Sequence, residues 1–127
     1  MLALRHTIMI AAACSALAPV PSAAAQPAAL TVDIASYSFA PKPIQLAAGK
    51  PVTLTFANHS GSGHDFTAKE FFAASTIIAG AAPGGRINLA GRETRSITLV
   101  PKAGTYMAHC SHFLHASMGM TDQIIVQ

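Results

Sequence analysis

The residues able to do chemistry gather in one stretch: Tyr106-Met107-Ala108-His109-Cys110-Ser111-His112-Phe113-Leu114-His115-Ala116-Ser117-Met118-Gly119-Met120. It holds a thiol, three imidazoles and three thioethers. Two imidazoles and a thiolate in a trigonal plane, with a weak axial thioether, make the donor set of a mononuclear blue-copper site. His64, far upstream, is the candidate to supply an imidazole from outside the stretch.

Each residue has a plainer reading beside the metal one. A free cysteine such as Cys110 is often just a small buried hydrophobe. His109 adjoins Cys110, and successive side chains of a strand point to opposite faces. If Cys110 faces inward with Tyr106 and Ala108, His109 faces solvent. His112 is tethered too closely to Cys110 for easy chelation; it can line the rim, replace His115, or serve a second, transient metal. Met118 and Met120 compete for the axial place. His64 and His59 could each be an ordinary loop histidine, and His59 could help to load a metal.

The elements around these residues read as short strands. Leu30-Thr31-Val32-Asp33-Ile34 alternates apolar and polar, as a half-buried strand does. Pro41 and Pro43 interrupt pairing, and Ile44-Gln45-Leu46 resumes it. Val52-Thr53-Leu54-Thr55-Phe56 is the clearest strand. A polar, glycine-rich loop, Asn58 to Gly63, leads to His64-Asp65-Phe66. Thr67-Ala68-Lys69-Glu70 has the form of a capping box. Phe71, Ala74, Ser75 and Ile78 then recur at helical spacing, with Gly80 and Pro83 as stops. Arg86–Leu89, Thr94–Val100, Thr105–Cys110 and Gln123–Val126 are further strands. The pattern predicts an all-β sandwich or barrel with one short helix between the central strands.

Length and composition bound the rest. The 127 residues suit one domain. Arg5 and His6, the apolar run Thr7 to Ala18 and the small residues Ala23-Ala24-Ala25 read as a secretory signal cut after Ala25. The domain is then 26–127, and the apolar run is too short to span a bilayer. Cys14 offers a minor lipoprotein reading, without the usual leucine before it. After cleavage Cys110 has no partner for an internal disulfide, and a metal would protect its thiol in an oxidising compartment. Residues 26–127 carry seven Lys/Arg and five Asp/Glu, a net +2. The basic residues are scattered singly, unlike the stripe of a nucleic-acid binder. No Ser/His/Asp or paired-carboxylate spacing suggests an enzyme.

The ordered set of motifs resembles the cupredoxins, the plastocyanin/azurin family of small blue-copper proteins. Phe39-x-Pro41, Gly49-x-x-Val52 and the Asn58 loop before His64 resemble its N-terminal half. Gly104-x-Tyr106-x-x-x-Cys110 and His115-x-x-x-x-Met120 resemble its C-terminal half. The resemblance implies a Greek-key β-sandwich and one copper ion per chain. Its ligands would be His64, Cys110, His115 and the axial Met120. Cys-x-x-x-x-His is similar to azurin and His-x-x-x-x-Met to plastocyanin, so two loop types are mixed. Ala108 stands where the family often has an aromatic, and Asp65 where an Asn often follows the first histidine. Asp65 would tie the ligand loops together and, as an added carboxylate, lower the potential. The implied function is a one-electron carrier, monomeric and periplasmic. Redox protein partners would dock weakly on apolar surface near His115. The alternative is a periplasmic copper-handling protein using the same loop, and a zinc site is a further rival.

Overall fold

The computed structural model describes residues 16–22 and 26–127. Cys14, the cleavage motif Ala23-Ala24-Ala25 and the basic start of the leader lie outside the described residues. Among those described, no helix is long and apolar enough to cross a membrane.

The described residues form ten strands, one short helix and one 3-10 turn. In order they are β1 (Ala28–Ala35), β2 (Ser38–Ala40), β3 (Ile44–Leu46), β4 (Val52–Asn58), β5 (His64–Thr67), α1 (Lys69–Ala74), β6 (Thr76–Ala79), the 3-10 turn Pro83–Gly85, β7 (Arg86–Leu89), β8 (Thr94–Val100), β9 (Gly104–His109) and β10 (Thr121–Val126). One five-stranded sheet has the order β2-β1-β4-β8-β6 and the other β3-β10-β9-β5-β7. The pairs β1–β4 and β3–β10 are parallel, the rest antiparallel. The architecture is the expected β-sandwich with one short helix.

Alternation in sequence becomes the core. In β4, Val52, Leu54, Phe56 and Asn58 are buried while the intervening residues are half-exposed. Ile97 and Leu99 of β8 lie opposite Leu54 and Val52 and are equally buried. From the other sheet Phe66 packs edge-on to Phe39, with ring centroids 5.2 Å apart, and against Phe56 at 4.8 Å. A rigid floor of this kind limits how far residues at the sandwich end can move.

Two local expectations fail. Thr67 does not cap the helix: α1 begins after Ala68 with no side-chain cap. The Thr67 hydroxyl donates instead to Asp65 Oδ1 at 2.7 Å, because Thr67 ends a fully buried strand. The helix also stops at Ala74, short of Ile78. Thr76-Ile77-Ile78-Ala79 turns into β6 against β8, where its three β-branched residues are at ease. The run's helical spacing and its strand propensity conflicted, and the free edge of β8 decided between them.

The loop before β5 is pinned from inside. Buried Asn58 donates Nδ2 to the Ser62 carbonyl at 2.8 Å and to the Ala90 carbonyl at 2.9 Å. Its Oδ1 accepts from the Ser60 N–H and hydroxyl, each at 3.0 Å. Gly91 packs so closely on the Gly61 carbonyl that a side chain there would collide with it. These contacts fix where the chain re-enters as His64.

Asp122 is the odd residue of the core face. It is buried beside Ile124 on β10; Oδ1 accepts the Gln123 N–H at 2.7 Å, and Oδ2 has no partner. Burial pushes its carboxyl above the ordinary range, opposed by the Gln123 N–H and the Lys42 charge. The native state is therefore favoured by the protonated acid. That stability is complete below the ordinary carboxylate range and is lost as pH rises through the raised value. Asp122→Asn should stabilise the metal-free protein at pH 7 by about 1 kcal/mol. The gain should vanish in acid, as urea titrations across pH would reveal; equal stability at pH 7 would refute it.

Candidate metal centre

Four segments converge at one end of the sandwich: the start of β5, the residue after β9, the connection 111–119, and Met120 before β10. Cys110 leaves β9 on the inward face, following buried Ala108, while His109 points outward and is exposed. The Cys110 N–H donates to the Met120 carbonyl at 3.1 Å, and the Met120 N–H to the His115 carbonyl at 3.0 Å. These bonds fold the connection back, so that residues five and ten positions beyond Cys110 return to it.

The side chains then meet. Cys110 Sγ lies 3.4 Å from His115 Nδ1 and 3.9 Å from His64 Nδ1. The three donor atoms all lie within 4.8 Å of one another. Nitrogens about 2.0 Å and a sulfur about 2.3 Å from a common ion, in a trigonal plane, would stand about 3.7 Å apart. The donor set thus fits an ion of that size. Met120 is fully buried next to this group, whereas Met118 is 57 % exposed. Of the four residues expected to ligate, the structure brings His64, Cys110 and His115 together, with Met120 buried and backbone-bonded to two of them.

Burial sets the protonation states. It lowers the His64 pKa, helped by the neighbouring His115 and His112 imidazoles and opposed by Asp65. His64 is therefore neutral at physiological pH, with a lone pair to offer. Its Nε2 is buried without a protein partner, while Nδ1 faces the thiol. Burial raises the Cys110 thiol, so a metal binding there must displace a proton.

Asp65 carries the cross-link foreseen for it. Its Oδ1 accepts the Ser111 N–H at 2.9 Å and Oδ2 the Ser111 hydroxyl at 2.6 Å, while Thr67 holds Oδ1 from below. Burial alone would raise this carboxyl; the Ser111 and Thr67 hydrogen bonds outweigh it and hold the group below its ordinary range. Sequence reasoning missed Ser111 and Thr67 as its partners. It also missed Tyr37, whose ring meets His115 edge-on at 5.1 Å. Tyr37 sits in the β1–β2 turn at φ 62° and gave no signal in sequence.

Other histidines are set apart. His59 Nε2 pairs with Asp33 Oδ1 at 2.6 Å on the surface. His112 does not displace His115 from the inner group. Its ring lies 5.2 Å from His115 and 6.2 Å from His64, and Nε2 is 3.6 Å from Asp65 Oδ2.

Fold and site together define a small β-sandwich with a two-imidazole, one-thiol donor group at one end, buried except at His115. The chain belongs to the cupredoxin-like domain family, which matches residues 6–126. No curated protein matches it. Among solved structures it is similar to auracyanin B, at 22 % identity and a TM-score of 0.58, covering 83 % of this chain and 93 % of that one. It is similar to dithionite-reduced auracyanin from the photosynthetic bacterium Roseiflexus castenholzii, at 18 % identity and a TM-score of 0.60, covering 78 % and 96 %. It also resembles a multicopper oxidase, a metallo-oxidase, from Campylobacter jejuni, at 13 % identity and a TM-score of 0.61. That match covers 85 % of this chain but 32 % of the oxidase. At these identities the likenesses describe the fold.

Removing the Asp65 carboxylate should loosen the centre. Asp65→Ala strips partners from Ser111 and Thr67 and should cost about 3 kcal/mol at pH 7. Because the carboxyl is lowered, its contribution is present above the ordinary carboxylate range and lost as pH falls through the lowered value. Denaturant titrations of the metal-free protein should show the gap between wild type and variant closing in acid. A gap independent of pH would refute this account.

Proposed function

We propose that this chain is a blue-copper electron carrier holding one copper ion per chain through His64, Cys110 and His115, with Met120 as the axial ligand. The observation that carries this reading is the convergence of one ring nitrogen from each of His64 and His115 with the Cys110 Sγ, all within 4.8 Å, at one end of the sandwich. Copper bound there would supply reversible one-electron exchange.

The chain's own residues do the rest. β5 and β9 hold His64 and Cys110 on a packed floor, so the donors have little freedom to rearrange when the charge at the site changes. Met120 and the buried backbone around it keep bulk water from Cys110. Asp65, ionised and next to both His64 and Cys110, favours the more positive state and lowers the potential. Partly exposed His115 is the port to the outside. Around it Phe113, Leu114 and Met118 are 87 %, 56 % and 57 % exposed, an apolar surface suited to brief docking of redox proteins. The signal-like leader supports export to the periplasm, and the carrier in this reading is a monomer released from that leader. No role as an enzyme is proposed. A copper-delivery role is the second reading, favoured by the exposed imidazoles of His109 and His112 near Cys110.

The test is a visible spectrum of residues 26–127 loaded with Cu(II). An intense thiolate-to-copper band should appear, bleach with ascorbate and return on reoxidation; Cys110→Ser should abolish it. Absence of the band, with tight Cu(I) binding that passes to an acceptor, would replace the carrier reading with delivery. In the coloured protein, Asp65→Asn should raise the reduction potential, and an unchanged potential would remove Asp65 from the account.

A further inference from the structure

Among the described residues, Cys110 belongs to two donor groups. The inner one is His64, Cys110 and His115. The outer one is Asp65, Cys110 and His112, whose ligand atoms also lie within 4.8 Å of one another. The two groups differ in access. His64 is 3 % exposed and Cys110 and Met120 are 0 %, whereas the His112 side chain is 43 % exposed. An open hollow of about 380 Å³ lies over this side of Cys110, bordered by His109, Ser111, His112 and Phe113.

We infer that His112, with Asp65, captures the metal ion from solvent and hands it through Cys110 to the inner group. The inference rests on the copper reading above and adds how the site is filled.

The geometry supplies each requirement of such a relay. An ion arriving in the hollow meets an exposed imidazole before any buried donor. Behind that imidazole stands the Asp65 carboxylate, 3.6 Å from Nε2, which draws a cation inward. The three hydrogen bonds from Ser111 and Thr67 still leave one lone pair, on Oδ2, of a carboxylate able to accept about four bonds. The three imidazoles form a triangle, with centroids 5.0, 5.2 and 6.2 Å apart. The ion can therefore exchange His112 and Asp65 for His115 and His64 without releasing Cys110. No electron moves in this exchange. The ion keeps its charge, the metal–sulfur bond forms once, and the thiol proton leaves to bulk water.

The test is the rate of Cu(II) uptake by the metal-free chain, followed in a stopped-flow instrument as growth of the thiolate-to-copper band. His112→Ala should load about tenfold more slowly than wild type and reach the same stoichiometry. His59→Ala, which removes an exposed imidazole elsewhere, should load at the wild-type rate. A second probe uses Zn(II) calorimetry on His64→Ala, in which the inner group is incomplete. Zn(II) should still bind there, and adding His112→Ala should abolish it. Uptake by His112→Ala as fast as wild type would overturn the inference, as would a final spectrum shifted by loss of a resident ligand. A wild-type chain that never colours would overturn the copper reading itself, whereas slow uptake in His59→Ala as well would overturn the relay alone.

Discussion

His64 and Cys110 are 46 residues apart in sequence, and the Asp65 carboxylate holds their loops in register. It sits at the second position of β5 and accepts the N–H and the hydroxyl of Ser111, the residue after Cys110. A buried carboxylate is tolerable only if its oxygens are satisfied. Ser111 and Thr67 satisfy them, so the cost of burying the charge is offset by the same bonds that align the donors. Without this link, β5 and β9 meet in their register only at Thr67 and His109. The distance from His64 to the thiol would then depend on side-chain packing alone.

Around that link the structure divides labour between a packed floor and a surface connection. Paired strands and the Phe39–Phe56–Phe66 cluster supply a floor that barely deforms. The connection 111–119 supplies reach. It is short, closed by backbone bonds from Cys110 to Met120 and from Met120 to His115, and exposed on its outer side. One loop can thus place a buried donor, a partly exposed donor and an apolar rim within a few residues. His112 lies on the same loop and gains its proximity to Cys110 through the same folding back.

Much of the fold was legible because burial is one-sided. In β4 and β8 one face meets the core and the other water, so period-two alternation was written plainly into Val52–Asn58 and Thr94–Val100. The helix boundaries were not legible. Phe71 to Ile78 has helical spacing, but Thr76-Ile77-Ile78 prefers a strand, and only the unpaired edge of β8 resolves the conflict. Thr67 and Glu70 matched a capping box in type and spacing. The match failed because the Thr67 hydroxyl was needed by Asp65, a demand no local window contains.

The sequence by itself determined the chemistry at hand: one cysteine in residues 26–127, with histidines and methionines at loop spacing, and a distant histidine behind a glycine-rich loop. Donor type and spacing are covalent facts, so they can be read without a fold. Tertiary structure alone decided the geometry. It placed Tyr37 against His115, made Ser111 and Thr67 the partners of Asp65, and set His112 on the solvent side of the same sulfur. Those relations depend on which strands pair and which faces are buried, and such long-range choices are made by the whole core rather than by any neighbouring residues.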